Sequence, residues 1–121
     1  MTGYSRGKKF EDKCRDALRA DGYVVTRAAG SKGAMDLIAL KPGQLLLIQC
    51  KGGAPRFDPE PWDRLVELAG WVGAVPVLAC NGPRGRGVTW WRLTGRKQRN
   101  RPFEAQPVER FLLDELDEVT A

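Results

Sequence analysis

Ser31-Lys32-Gly33-Ala34-Met35-Asp36-Leu37-Ile38-Ala39-Leu40, then Lys41-Pro42-Gly43-Gln44, then Leu45-Leu46-Leu47-Ile48-Gln49-Cys50-Lys51 is the stretch that decides the fold. Two apolar runs flank a Pro-Gly pair, the pattern of a β-hairpin. With Lys41 to Gln44 as the loop, Leu40 falls opposite Leu45. Counting outward, Asp36 falls opposite Gln49. Side chains alternate along a strand, so Lys51 shares a face with Gln49. A carboxylate, an amide oxygen and an ammonium thus converge at the open end of the hairpin. Polar groups set into apolar runs are costly to bury, which marks these three for a task.

Upstream of the hairpin, Tyr23-Val24-Val25-Thr26-Arg27 is a β-prone run, and Ala28 to Gly33 is a loop of small residues. Such a loop lets backbone approach a ligand and serves equally as an ordinary connection. It does not match a Walker phosphate loop. Tyr4 to Lys9 is basic and contains glycine. A helix follows it to about Ala20, with Phe10, Cys14, Ala17 and Leu18 at helical spacing and Asp21-Gly22 at its end. Glu11 sits at the edge of that apolar face. It could point into a cleft or pair on the surface with Arg15, four residues on. The helical pattern alone favours the surface pair.

Downstream, Gly52 to Pro61 is rich in proline and glycine, and a second helix starts near Pro59 or Pro61. Trp62, Leu65, Val66, Leu68, Ala69 and Val72 give that helix a broad apolar face, suited to a subunit contact or to a core helix. Val75 to Cys80 and Gly87 to Leu93 read as two further strands. The loop between them carries Arg84 and Arg86. Arg96, Lys97, Arg99 and Arg101 follow the last strand. These cations could neutralise phosphates or form a solvated surface. The tail changes sign, and Glu109, Asp114, Glu115, Asp117 and Glu118 accompany Phe111, Leu112, Leu113 and Leu116 in a short amphipathic helix.

The 121 residues suit one compact domain, and an apolar fraction of 42% fills a modest core. A net charge of +5 points weakly to a polyanionic partner. No apolar run approaches the ~20 residues needed to span a membrane. The basic N-terminus lacks a signal-peptide core. A cytoplasmic protein is the simplest reading. Cys14, Cys50 and Cys80 are odd in number and widely spaced, which fits buried thiols better than disulfides or a zinc site. The chain has no histidine, which excludes Ser-His and Cys-His nucleophiles and a histidine base. Any hydrolysis here must use carboxylates, lysine and a metal ion.

The order helix, three strands, helix, two strands, with the residues above, resembles the PD-(D/E)xK nuclease superfamily. Within it the chain is most similar to the archaeal-type Holliday junction resolvases, over about Tyr4 to Leu93. Arg6-Gly7 with Phe10-Glu11 looks like the family's opening. Val24 to Ser31 looks like its arginine-containing strand and serine loop. Asp36-Leu37-Ile38-Ala39 matches its metal-binding strand, and Gln49-Cys50-Lys51 takes the E-x-K position. Ala74 to Ala79 is similar to its later strand. One residue departs from the pattern: the family usually has Glu or Asp where this chain has Gln49, whose amide oxygen can ligate Mg²⁺ but carries no charge.

The resemblance implies an α/β, restriction-endonuclease-like core, a mixed sheet flanked by helices in the order α-β-β-β-α-β-β. It places the nuclease-like domain at residues 1–95 and leaves 96–121 as a basic segment with the acidic helix. It implies Mg²⁺, with Mn²⁺ as a substitute, held by Asp36, Gln49, the Cys50 carbonyl and Glu11. Lys51 would orient water or support charge, and Ser31 would position phosphate or water. Arg6, Lys8, Lys9, Arg27 and Lys32 would grip DNA backbone, joined by Arg84 and Arg86. The implied activity is symmetric nicking of four-way DNA junctions by a homodimer, with the Trp62 and Trp71 helix as the candidate interface. Competing readings are a nuclease for other branched or linear DNA, a catalytically silent DNA-binding module and a small interaction protein.

Overall fold

The elements run α1 (Gly3–Ala20), β1 (Val24–Arg27), β2 (Leu37–Lys41), β3 (Gln44–Lys51), α2 (Pro59–Val72), β4 (Val75–Asn81), β5 (Val88–Leu93) and β6 (Ala105–Val108). They are seen in a computed structural model that describes residues 3–28, 35–52, 59–82, 84, 87–93 and 105–108. The six strands form one sheet in sequence order, antiparallel throughout except for the parallel β3–β4 pair. The α2 helix makes the crossover that this parallel pair requires.

The hairpin has the register read from the sequence, with Leu40 opposite Leu45 and Lys41 opposite Gln44. Gly43 has φ 79°, the left-handed value that the third position of a type II turn needs, with Pro42 preset at the second. The first helix extends further back than the sequence suggests. Tyr4 to Lys9 is its opening turns rather than a segment preceding it. It ends as expected at Asp21-Gly22. Gly22 has φ 93°, and the amides of Gly22 and Tyr23 donate to the carbonyls of Arg19 and Leu18 at 3.0 and 3.1 Å. Those two bonds are a Schellman motif.

Helices cover both faces of the sheet. Phe10, Cys14 and Leu18 of α1 pack on Val25, Leu37, Ala39, Leu46, Ile48, Val77 and Ala79. Trp62, Leu65 and Ala69 of α2 pack on Leu47, Leu78 and Cys80 from the opposite side. This explains the unbroken apolar run of β3, because a strand with a helix on each side has no solvent face. The hairpin tip is tied back to the end of α1. The buried Tyr23 hydroxyl donates to Gln44 Oε1, and Lys41 lies 4.4 Å above the Tyr23 ring centre and 3.4 Å from Asp21.

Two expectations change. Trp62 is fully buried against the sheet, so it is a core residue and not part of a subunit contact; Trp71, on the same helix, is 84% exposed. A sixth strand, β6, lies beyond the five read from the sequence and pairs antiparallel with β5, Trp90 opposite Val108. It is four residues long and contains Pro107, which suits only a sheet edge and weakens any strand signal. The basic run Arg96 to Arg101 and the amphipathic acidic helix lie outside the described residues. Among the described residues no helix is long and apolar enough to cross a membrane.

Candidate active site

Strands β3 and β4 run parallel and end together, Lys51 beside Cys80. Gln49, Cys50 and Lys51 therefore stand at the carboxyl end of a parallel pair, where open α/β sheets bind ligands. Asp36 stands just before β2 and is held from three directions. Its amide donates to the Ile48 carbonyl at 2.8 Å and its carbonyl accepts from Ala28 at 3.0 Å. Its Oδ2 accepts from the Cys50 amide at 2.8 Å. The β2–β3 ladder stops at Leu37–Ile48, so Asp36 is not the direct cross-strand partner of Gln49 that simple counting suggests. Bonding to Ile48 breaks the regular pairing at this residue and brings the carboxylate to the β3 backbone.

Gln49 is buried, and among the described residues its Oε1 has no hydrogen-bond partner. Leaving a buried acceptor unpaired costs ~1–3 kcal/mol, so the atom calls for a ligand. Glu11 comes from α1. Burial raises its pKa, the neighbouring Asp36 carboxylate raises it further, and Arg27 opposes the rise. Asp36 is raised in the same way by burial, with the Cys50 amide and Lys51 working against it. The Asp36 charge thus reaches Glu11 across the helix–strand junction, while Asp36 itself responds to burial, the Cys50 amide and Lys51. Carboxylate and amide oxygens are donors of the kind that suits a hard divalent cation. Among the described residues no group of three Cys, Asp or Glu side chains is arranged to hold a metal. The uncharged Gln49 is what keeps the carboxylate count at two.

The thiols have no catalytic character. Cys50 is driven strongly upward, first by hydrogen bonding with Cys14 and then by burial, and Cys80 is pushed up to about 11 by burial. Such groups stay protonated at neutral pH. All three cysteines are free.

The other expected residues divide clearly. Glu11 does not pair with Arg15. Its partner is Arg27, with Nη1 at 3.5 Å from Oε1, while Arg15 bonds Asp12 at 3.2 Å and Asp16 at 3.1 Å. Arg27 also bonds Asp12, a residue that sequence reasoning passed over. Helical spacing shows Asp12 beside Arg15 but gives no sign of a strand arginine arriving from outside the helix. Lys8 and Lys9 are exposed on α1, and Lys8 acts on Glu11 electrostatically. Arg6 lies in the same helix. Arg84 is exposed between β4 and β5 with φ 58°. Ser31, Lys32 and Arg86 lie outside the described residues.

Known proteins share this architecture. A sequence model described as archaeal Holliday junction resolvase (Hjc) matches residues 2–100. The crossover junction endodeoxyribonuclease Hjc of Methanocaldococcus jannaschii is 34% identical over 79 residues, 63% of this chain and 59% of that protein. A UPF0102 protein of Kosmotoga olearia is 34% identical over 56 residues, 45% of this chain and 49% of that protein. The chain thus spans about half to three-fifths of these relatives' length. The structure of Archaeoglobus fulgidus Hjc superposes with a TM-score of 0.62 at 22% identity, covering 75% of this chain and 80% of that one. That likeness identifies the mixed sheet with flanking helices as the restriction-endonuclease-like α/β fold. Matched over most of its length, the chain belongs to the archaeal Holliday junction resolvase family.

Proposed function

We propose that this protein is a metal-dependent endonuclease that resolves four-way DNA junctions by paired symmetric nicks. The observation that carries the reading is the Asp36 carboxylate fixed on the Cys50 amide at the strand end that bears Lys51 and the buried Gln49 Oε1, which is unpartnered among the described residues. Asp36, Gln49, the Cys50 carbonyl and Glu11 are the groups that would hold Mg²⁺, with Mn²⁺ as a substitute. When bound, the cation supplies positive charge and Lewis acidity at the scissile phosphate. The protein's own groups do the rest. The Cys50 amide fixes the orientation of Asp36. Lys51 orients the attacking water and supports charge developing on the phosphate oxygens. Ser31 positions phosphate. Arg6, Lys8, Lys9, Arg27, Lys32, Arg84 and Arg86 hold DNA backbone, which positions the duplex without reading its sequence. A two-fold homodimer would present two such sites to the two strands of a junction. Exposed Trp71 and half-exposed Val72 at the end of α2 are the remaining candidates for its contact.

The names of the two Hjc relatives support this substrate. The test incubates a labelled four-way junction and its linear duplex arms with the protein and Mg²⁺ or Mn²⁺, beside Asp36→Ala. Symmetric nicks in the junction alone, lost in the variant, are expected. Cleavage of both substrates would retain the nuclease and remove the junction preference. Binding without cleavage under either metal would leave a silent DNA-binding module.

A further inference from the structure

Arg27 holds two carboxylates of α1 at once. Its Nη1 is 3.5 Å from Glu11 Oε1, and its Nη2 donates to Asp12 Oδ1. The backbone brings it there. Arg27 is the last residue of β1 and pairs with Leu37, and the next amide, Ala28, donates to the Asp36 carbonyl. The Arg27 side chain is 42% exposed, so a DNA phosphate can reach it. Asp12 is held in turn by Arg15 at 3.2 Å. A cation suited to phosphate and a carboxylate suited to a metal ion are thus engaged with each other, and Asp12 is the common anchor.

These two engagements are in conflict. A guanidinium committed to two carboxylates cannot offer a phosphate its two-pronged face. A positive charge resting on Glu11 opposes a second cation there. We propose that Asp12 is a positioning residue that parks Arg27 against Glu11 in the DNA-free protein, and that a backbone phosphate draws Arg27 away, so that DNA binding and divalent-cation binding strengthen each other. The coupling is reciprocal by linkage: cation at Glu11 releases Arg27 toward phosphate, and phosphate on Arg27 releases Glu11 toward cation. The inference rests on the proposed DNA-processing function for its ligand.

Two measurements without turnover test it. The first is fluorescence anisotropy of a labelled four-way junction in EDTA, for the wild type, Asp12→Asn, Arg27→Gln and the double variant. Freed from Asp12, Arg27 is expected to tighten DNA binding about threefold or more, and that gain is expected to vanish on the Arg27→Gln background. The second is calorimetric titration of Mn²⁺ into the DNA-free proteins, in which Arg27→Gln is expected to bind severalfold more tightly than the wild type. Should Arg27→Gln fail to fold, Arg27→Lys serves, since one ammonium cannot span both carboxylates. A gain from Asp12→Asn that persists without Arg27 would show simple removal of a negative charge and overturn the proposal. So would a Mn²⁺ affinity indifferent to Arg27. A wild type that binds no DNA overturns the function and this inference together, whereas wild-type binding with an additive cycle overturns the inference alone.

Discussion

Gln49 is where the chemistry of the site departs most from its family's usual pattern. Its oxygen is buried and, among the described residues, unpartnered, yet it would bring no charge to the proposed donor set. Restoring the charge with Gln49→Glu is expected to tighten Mg²⁺ binding on the order of tenfold, because ligand charge count sets affinity for hard cations. Calorimetry on the DNA-free protein reads this directly, and an unchanged affinity would remove Gln49 from the ligand set. Asp36 carries a second prediction. Its folded pKa is raised from 3.8, mainly by burial, so the folded chain binds this proton more tightly than the unfolded chain. The contribution of Asp36 to stability without metal is therefore greatest at low pH and is lost as pH rises from about 3.8 through the folded pKa. Asp36→Asn keeps an acceptor for the Cys50 amide and removes the buried charge. It is expected to raise Tm at neutral pH in EDTA, with the gain shrinking toward pH 4 in thermal melts. The places of Gln49 and Lys51 on β3 were legible in the sequence because alternation along a hairpin is a local rule, whereas counting set Asp36 directly opposite Gln49 and the ladder stops before it. The Arg27 bonds to Glu11 and Asp12 were not legible, since a helix and a strand meet there only through packing.

At the scale of elements, the two tryptophans of α2 separate core from surface. Trp62 is fully buried against Leu47 and Leu78, while Trp71 is mostly in solvent. Trp62→Ala is expected to cost ~3–5 kcal/mol in urea unfolding through the cavity it leaves. Trp71→Ala is expected to stay within ~0.5 kcal/mol in dilute protein. A large loss at Trp71 under those conditions would mean that it packs within the folded chain. The helical spacing placed Trp62, but not Trp71, on a broad apolar face. Whether that face met the sheet or another subunit depended on where the sheet lay. Strand β6 escaped notice for a different reason: Ala105-Gln106-Pro107-Val108 has little strand character of its own and acquires it by pairing with β5.

For the whole molecule, the net charge of +5 and the cations around the site set the expected response to salt. Binding of a four-way junction should weaken linearly in log Kobs against log salt, with a slope near −0.9 for each phosphate neutralised. A slope of about −3 or steeper is expected if Arg27, Lys8 and Lys9 share the contact. A flat response would favour the small interaction protein over any nucleic-acid function. Sedimentation at several concentrations, beside Trp71→Ala, tests the homodimer.

The sequence by itself determined the order of the first seven elements, the hairpin register, the glycine-ended first helix and the place of Gln49 and Lys51 at the end of β3. Each follows from alternation, capping or turn chemistry acting within a few residues. The tertiary structure alone decided that Trp62 is core, that Arg27 bridges Glu11 and Asp12, that Asp36 reaches the Cys50 amide, and that the Gln49 oxygen is left without a partner among the described residues. These depend on which surfaces meet when helices close over both faces of the sheet, and no local pattern carries that information.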